Sequence, residues 1–335
     1  GPPGNTRLLS QPGSLSVSPD AIAFSGVSKT FGTHLALDDV SFRIPTSGIH
    51  GLIGPNGSGK TTTLRLLLGI YQADAGAVEV LGEAASRKTM EQIGYLPEER
   101  GLYRKMRVMA QIEYFARLSG MQKAFARSKA REWLAYFKLE AAANLRGEAL
   151  SKGMAQKVQF ICSVAADPPI VVLDEPFSGL DPVSQETMAR SIREMAARGK
   201  TILLSTHDMH VAEALCDRVL MIYRGRKVLD AELGELQKNH AGVLYHIEGT
   251  FERDALETID GVRDIQAERS GWRFQYEGDS NSLLETLLGK GRVVRFEQAP
   301  LRLHDLFIQI AGTEAADTEI NTEAVAVEKT EEDVK

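Results

Sequence analysis

Short runs of aliphatic and β-branched residues alternate with longer amphipathic stretches between Ala21 and Asp230. This alternation predicts an α/β domain over residues 21–240 with a largely parallel sheet, because a helical stretch connects each strand to the next. A mainly helical stretch from Met106 to Ala149 predicts a helical subdomain, at about residues 100–150, that is set apart from the sheet. The predicted strands are Gly48–Ile53, Ala77–Leu81, Ile93–Leu96, Ile170–Leu173, Thr201–Ser205 and Val219–Tyr223.

A second pattern follows over residues 243–312. Its predicted order is strand, helix, strand, strand, helix, strand, which is the split-βαβ, ferredoxin-like arrangement of a small α+β accessory domain. A last helix is predicted from Leu301 to Ile310. The predicted elements before it are Val243–Glu248, Phe251–Thr258, Val262–Glu268, Trp272–Tyr276, Ser280–Leu288 and Val293–Glu297.

The two ends of the chain differ from this folded part in composition. Residues 313–335 hold eight acidic and two basic side chains, which account for the whole net charge of −6, and they predict a disordered acidic tail. The remainder is nearly neutral and lacks the basic field that nucleic-acid binding requires. Residues 1–20 begin without an initiator Met and without an apolar signal region, so they are interpreted as a disordered segment left from an expression tag.

No run approaches the roughly 18 consecutive apolar residues that a membrane-spanning helix needs. If the protein acts on a membrane, a partner must do the spanning. Cys162 and Cys216 lie in unrelated segments without metal or redox spacing. They are expected to pack as small apolar groups in a reducing compartment, and the cytoplasm fits.

The segment Gly54–Thr61 fits the phosphate-loop pattern G-x-x-x-x-G-K-[ST]. It follows a predicted strand and opens a helical run from Thr62 to Leu68, the context in which backbone N–H groups and a helix N-terminus hold phosphate. Lys60 can then reach the β- and γ-phosphates, and the Thr61 hydroxyl can bind Mg²⁺. A chance match in a flexible loop is the alternative, and the flanking elements disfavour it. The predicted nucleotide ligands here are Asn56, Gly57, Ser58, Gly59, Lys60, Thr61 and Thr62.

Two adjacent carboxylates, Asp174 and Glu175, follow the apolar run Ile170–Leu173. They would lie at the carboxyl end of a buried strand, where open α/β sheets bind their ligands. Asp174 would hold Mg²⁺ through its water shell, and Glu175 would polarise the water that attacks the γ-phosphate. A solvated turn is the alternative for such a pair, and the phosphate loop in the same chain favours the catalytic interpretation.

Three further segments resemble the motifs of ABC ATPases. Leu150–Lys157 (Leu-Ser-Lys-Gly-Met-Ala-Gln-Lys) resembles the signature motif, Ser178–Asp181 resembles the D-loop, and Ser205–Asp208 resembles the switch-histidine segment. Their order and spacing are similar to those of an ABC nucleotide-binding domain over about residues 22–236. The resemblance implies the fold of P-loop NTPases with a helical signature subdomain, ATP and Mg²⁺ as cofactors, and ATP hydrolysis as the activity.

The resemblance also implies roles for individual residues. Two such domains pack head to tail in this family, and each ATP lies between the phosphate loop of one and the signature of the other. Ser151 and Gly153 would approach the γ-phosphate of a second subunit, expected to be another copy of this chain, and Asp181 is assigned to the same nucleotide site. His207 would contact the γ-phosphate within its own chain. Lys152 stands where many relatives have Gly, and it either adds positive charge near the phosphates or faces solvent.

Four residues leave alternatives open. Phe31 is placed where the family stacks an aromatic ring on adenine, and an ordinary core phenylalanine is the alternative. Glu98 stands where the family usually has Gln; a carboxylate can bind Mg²⁺ but cannot donate a hydrogen bond, so Glu98 is assigned to metal and catalysis with an altered geometry. His207 and His210 are three residues apart, a spacing that could bind zinc, but they lack the HExxH pattern.

The run Ile93–Tyr103 and the signature segment together resemble the Nat-type, sodium-exporter-like branch, whose members often carry a small C-terminal domain. This implies export through a separate multi-span permease, with a cytoplasmic helix of the permease docked between the helical lobe and the Glu98 loop. The chain would lie on the cytoplasmic face of the membrane and contact it only through the permease. A non-transport ABC ATPase is the alternative, whether ribosome-acting, chromosomal or regulatory. Against it, the chain has one ATPase domain, no long coiled coil, and both Glu175 and His207.

Overall fold

The computed structural model describes residues 20–99, 101–239, 244–299 and 302–308. The two predicted disordered ends lie outside this part of the chain, except for Asp20. That residue begins the first strand, so the predicted disordered segment is wrong at its last position. None of the described helices is long and apolar enough to cross a bilayer.

The chain up to residue 99 contributes strands to two sheets. In chain order its elements are β1 (Asp20–Phe31), β2 (His34–Pro45), β3 (Gly48–Ile53), α1 (Lys60–Leu67), β4 (Ala75–Val80), β5 (Glu83–Ala84) and β6 (Ile93–Leu96). Four of them form an antiparallel sheet in the order β2-β1-β4-β5. Only β4 of this sheet was among the predicted strands, so the α/β prediction is incomplete here.

Residues 101–239 supply the helical lobe and the rest of the central sheet. In chain order the elements are α2 (Val108–Leu118), α3 (Lys123–Tyr136), α4 (Lys152–Val164), β7 (Ile170–Asp174), α5 (Pro182–Ala197), β8 (Thr201–Thr206), α6 (Met209–Leu215), β9 (Arg218–Tyr223), β10 (Arg226–Glu232) and α7 (Leu233–Asn239). The central sheet has the order β10-β9-β3-β8-β7-β6. All neighbours are parallel except the edge strand β10, so the prediction of a largely parallel sheet is confirmed for this sheet.

The central strands are continuous apolar runs because both faces of the sheet are covered. Every residue of β7 is buried, and so is every residue of β8. One face packs against α4, α5 and α6, and the other packs against α1 and the antiparallel sheet. The sheet is therefore a rigid support for whatever lies at its carboxyl edge.

The predicted helical lobe consists of α2 and α3, joined by two single turns of 3₁₀ helix to α4. Ile112, Leu134 and Phe160 are fully buried between the three helices. The signature segment lies at the start of α4, so the lobe presents that segment while the far end of the same helix packs near β6.

The C-terminal domain (residues 244–308) has the predicted ferredoxin-like order. Its elements are β11 (Leu244–Gly249), α8 (Arg253–Glu257), β12 (Val262–Glu268), β13 (Gly271–Tyr276), α9 (Ser280–Leu288), β14 (Val293–Gln298) and a short helix, α10, at 303–308. The sheet order is β12-β13-β11-β14 with every pair antiparallel. Leu303 of α10 is buried in the core of the first domain, and the ring of Phe307 packs on Tyr223 with centroids 5.6 Å apart. Positions 301, 309 and 310 of the predicted last helix lie outside the described residues.

The parallel strands β3, β6, β7 and β8 all end at the same edge of the central sheet. The phosphate loop, Glu98, Glu175 and His207 lie in the loops that follow these strands, and Asp174 is the last residue of β7. Residues as far apart in the chain as Gly54 and His207 are thereby brought together at one edge, the place where open α/β sheets bind ligands.

Candidate active site

The loop between β3 and α1 folds closely onto the rest of the domain. Gly54 has φ +152°, and a Cβ atom there would lie 2.1 Å from the carbonyl oxygen of Ile222. Gly59 has φ +115° and is the N-cap of α1, with no side-chain cap and no acidic residue in the first turn. The start of the helix is therefore left to bind an anion through its backbone N–H groups.

Lys60 is 7% exposed, and its ammonium donates hydrogen bonds to the carbonyl oxygens of Gly54 (2.7 Å) and Pro55 (2.9 Å). Burial lowers the pKa of Lys60, and the carboxylates of Glu175, Asp174 and Glu98 oppose that shift. An ammonium has three donors, so these two bonds leave one for a ligand in front of the loop.

Asp174 is the last residue of β7 and is 2% exposed. Burial raises the pKa of Asp174 to about 6, and the neighbouring carboxylates of Glu98 and Glu175 add to the shift, while the Ser205 hydroxyl and Lys60 oppose it. A carboxyl group held in this way binds a cation more readily than a proton once a divalent ion with further ligands is nearby.

Glu175 turns the chain at the end of β7 with φ +48°, a conformation that costs a non-glycine residue about 1 kcal/mol or more. Its Oε1 accepts the backbone N–H of His207 (2.8 Å) and lies 2.6 Å from His207 Nδ1, while its Oε2 accepts the hydroxyl of Thr206 (3.2 Å). The short contact to Nδ1 requires the imidazole hydrogen on that nitrogen. Glu175 and the switch histidine therefore form one hydrogen-bonded unit.

Lys60, Asp174 and Glu175 line one pocket of about 350 Å³, which His207 contacts through Glu175 without lining it. It contains every predicted phosphate-loop ligand except Ser58, together with both carboxylates after β7 and the side chain of Glu98. Ser58 is 3% exposed, and among the described residues its hydroxyl has no hydrogen-bond partner. The lining residues are Phe31, His34, Ala36, Asn56, Gly57, Gly59, Lys60, Thr61, Thr62, Glu98, Asp174 and Glu175.

Phe31 stands at the mouth of this pocket and is 41% exposed. Its ring packs edge-on against Tyr71 at 5.1 Å, and the Lys29 ammonium lies 5.4 Å from its centroid. The alternative of an ordinary core phenylalanine is therefore wrong. Sequence reasoning missed His34 and Ala36, which line the same pocket from the start of β2 and would be found only by predicting the tight turn at Gly32.

Comparison with known proteins agrees with this site. Residues 37–178 match the family model described as ABC transporter, and residues 232–311 match that of the C-terminal domain of DrrA1-3-like ATP-binding proteins. The uncharacterized ABC transporter ATP-binding protein YhaQ of Bacillus subtilis is 37% identical over 288 residues, which cover 85% of this chain and 97% of the relative. Nod factor export ATP-binding protein I of Burkholderia lata is 34% identical over 304 residues, which cover 88% and 98%.

The chain belongs to the ABC transporter ATP-binding family. Its cofactors are ATP and Mg²⁺, and its activity is ATP hydrolysis. The fold of this ABC ATPase agrees with solved relatives. The ATP-binding subunit of an ABC transporter superposes with a TM-score of 0.62 at 29% identity, over 65% of this chain and 92% of that chain. A dimeric bacterial ABC transporter cassette gives 0.59 at 25%, over 63% and 98%.

The signature segment of the ABC ATPase lies outside the pocket. Ser151 is the N-cap of α4, accepts the backbone N–H of Met154 (3.2 Å) and is exposed. Gly153 packs against the D-loop, since a Cβ atom there would lie 3.5 Å from the carbonyl oxygen of Gly179. The side chain of Lys152 lies across Gly179, with its Cε 2.5 Å from the position of a Cβ atom on that glycine, so its stem packs on the D-loop although the residue is exposed.

Asp181 is the N-cap of α5 and accepts the backbone N–H (3.0 Å) and the hydroxyl (2.6 Å) of Ser184. These hydrogen bonds lower the pKa of Asp181. Neither Asp181 nor Ser151 nor Gly153 lines the pocket of its own chain. The structure thus brings most of the predicted phosphate-loop ligands together with Glu98, Asp174 and Glu175. It leaves the signature segment and the D-loop apart from them.

His210 is exposed, and its Nδ1 lies 3.8 Å from Glu213 Oε2. Within residues 20–99, 101–239, 244–299 and 302–308, no group of three or more His, Cys, Asp or Glu side chains is placed to hold a metal ion by itself. The pocket carboxylates therefore need further ligands from the nucleotide to complete a Mg²⁺ site.

Proposed function

We propose that this ABC ATPase is the energy-supplying subunit of an export transporter, in which ATP binding closes a dimer and hydrolysis reopens it. One observation carries the proposal: the phosphate loop, Asp174, Glu175 and Glu98 share one pocket, while the signature serine at a second helix start lies outside it. We further propose that residues 21–240 form the ATPase domain and residues 243–312 an accessory domain.

The pocket residues divide the work on ATP. Lys60 and the start of α1 neutralise the β- and γ-phosphates, and Phe31 stacks on the adenine ring. Thr61, Asp174 and Glu98 hold Mg²⁺, which neutralises phosphate charge when bound. Asn56, Gly57, Ser58, Gly59 and Thr62 complete the phosphate cradle.

Glu175 is the general base for the attacking water. Its carboxylate is held by Thr206 and His207 and faces the same pocket as Lys60. His207 orients the base and contacts the γ-phosphate. A positioned base of this kind contributes about a hundredfold to ten-thousandfold to the rate.

The second half of each site comes from a second copy of the chain. Ser151 and Gly153 bring the positive dipole end of α4 to the γ-phosphate bound by the partner, and Asp181 belongs to the same site. The dimeric state of a related bacterial cassette supports this arrangement. Closure follows because ATP contacts both chains only in the closed state.

A cytoplasmic helix of a multi-span permease docks in the cleft beside the Glu98 loop. This cleft, of about 290 Å³, is lined by β6, α2 and α4 and is mainly apolar. Leu118 (63% exposed) lines the cleft, and Tyr103 (52% exposed) stacks on Phe115, which also lines it. These exposed apolar side chains suit an amphipathic helix. The chain thereby reaches the cytoplasmic face of the membrane through the permease. Relatives named for Nod factor export, together with the Nat-type resemblance, support export as the direction.

Glu175→Gln tests this function. Steady-state hydrolysis should fall at least about a hundredfold because the base is lost, while ATP still binds. With ATP and Mg²⁺ the variant should change from monomer to stable dimer in light scattering. Glu132→Gln, the same change at an exposed position on α3, should behave like the parent. Undiminished hydrolysis would contradict the base assignment, and a variant that stays monomeric with the permease present would contradict the closing dimer.

A further inference from the structure

Two buried glutamines on α4 hold loops that lead into the active site. Gln156 and Gln159 are 8% and 5% exposed, and being three residues apart they lie on the same side of the helix. Gln156 Nε2 donates to the carbonyl oxygen of Pro176 (3.0 Å), the residue after Glu175. Gln159 Nε2 donates to the carbonyl oxygens of Pro97 (3.1 Å) and Glu99 (2.9 Å), on either side of Glu98.

The Gln159 amide therefore ties down the chain immediately before and after Glu98. Within the part of the chain that the structure describes, the carbonyl groups of Pro97 and Glu99 make no other hydrogen bond. Both carbonyls accept from the Gln159 amide on α4, and Glu98, which lies between them in the chain, lines the nucleotide pocket. The two bonds act on the direction of Glu98 because they restrict the backbone dihedral angles between them.

Gln159 also lines the apolar cleft beside the Glu98 loop, together with Pro97 and Cys162. A Cβ atom at Gly101 would lie 3.8 Å from its Nε2. One amide side chain thus contacts both the loop that carries Glu98 and the space proposed for the permease helix.

We infer that Gln159 is a positioning residue for Glu98. It sets where the carboxylate stands relative to Mg²⁺ and the attacking water, and this inference rests on the proposed role of Glu98. Displacing a catalytic group by about 1 Å can cost about a hundredfold in rate, so two hydrogen bonds that fix its backbone matter for hydrolysis although they touch no substrate.

The test is a double-mutant cycle on the full chain. Gln159→Leu removes both donors at similar volume, and Gln159→Glu keeps the shape without the donors. Each should lower kcat for ATP about tenfold and raise the Mg²⁺ concentration needed for half-maximal rate, with KM for ATP changed less than about twofold. In a Glu98→Ala background, Gln159→Leu should change kcat by less than about twofold, because the group that it positions is gone.

Gln111→Leu is the matched control. Gln111 is a fully buried glutamine of α2 whose amide donates to Met106 (3.0 Å) and accepts from Tyr103 (2.8 Å) in the same lobe. It should lower the melting temperature as much as Gln159→Leu does but leave the Mg²⁺ dependence unchanged. Equal losses of kcat from Gln159→Leu in both backgrounds, or a Mg²⁺ profile like that of the parent, would overturn the positioning role alone. Glu98→Ala with an unaltered Mg²⁺ profile would instead remove the role of Glu98, and the inference with it.

Discussion

The loops before α1 and α4 are alike in local design and opposite in surroundings. Each ends in a small residue at the N-cap, Gly59 or Ser151, and neither helix has an acidic residue in its first turn. The loop before α1 faces Asp174 and Glu175 across the pocket. The loop before α4 is exposed, and the residues at the start of α4 pack on the D-loop. A helix start becomes an anion site only when other groups close around the anion, so the second loop needs a surface from another chain.

Mixing two inactive variants tests most directly whether the two loops act together in one site shared between chains. Lys60→Ala removes the charge of the first loop and weakens nucleotide binding, and Gly153→Asp places a carboxylate at the second. A mixed dimer holds one site with both loops intact, so random pairing should restore about a quarter of the active sites. ATP hydrolysis is measured for each variant alone and for the equimolar mixture.

Lys60→Ala mixed with Glu175→Gln is the control for this experiment. Both changes lie in the same pocket, so every site of the mixed dimer keeps one defect and no activity should return. Recovery in both mixtures, or in neither, would show that the two loops do not belong to one site shared between chains.

The charges of Asp174 in the pocket and of Asp181 in the D-loop should have opposite effects on the free energy of unfolding. The raised pKa of Asp174 means that the unfolded chain loses this proton at lower pH than the folded chain. The free energy of unfolding of the nucleotide-free protein therefore falls as the pH rises from about 4 to about 6, by roughly 3 kcal/mol. Asp174→Asn avoids that loss, so in urea unfolding it should exceed the parent by this amount at pH 7.5 and match it at pH 4.

Asp181→Asn should change the free energy of unfolding in the opposite direction. The pKa of Asp181 is lowered by its hydrogen bonds from Ser184, so its charge stabilises the fold above the ordinary carboxyl pKa, and removing the charge should lower stability at pH 7.5. An Asp174→Asn advantage that persists unchanged at pH 4 would show that burial of the charge is not its cause.

The central strands could be predicted from sequence because they are buried on both faces, which leaves uninterrupted apolar runs such as Ile170–Leu173. The antiparallel pair β1 and β2 could not, although Val40, Phe42 and Ile44 alternate inward. Their register shifts between Phe24 and Val27 and again before Lys29, and each irregularity breaks the period of two that marks a half-buried strand.

The residues of the active site also differ in how far the sequence predicts them. The phosphate loop and the acidic pair were predictable because each is a short segment whose chemistry is local. Gln159, which holds the Glu98 loop, carries no motif of its own, and Thr206 lies in the switch-histidine segment although that resemblance does not predict its hydrogen bond to Glu175. Their roles depend on contacts across the fold, which residue spacing along one chain does not encode.

Phe31→Ala, at the edge of the pocket, is expected to have the smallest effect. Its exposed ring is available to the adenine base, and stacking of a base on an aromatic ring is worth about 1–3 kcal/mol. Phe31→Ala should therefore weaken ATP binding about tenfold. Calorimetry in a Glu175→Gln background measures this loss of ATP affinity without turnover.

Other ligands separate base stacking from phosphate binding. Stacking tolerates any base, so GTP should lose as much affinity, and inorganic tripolyphosphate, which has no base, should lose none. Phe31→Trp keeps a π-face and should retain ATP binding. An equal loss for tripolyphosphate would mean that Phe31 shapes the phosphate loop instead of the adenine subsite, and the outer end of the pocket would need another base contact.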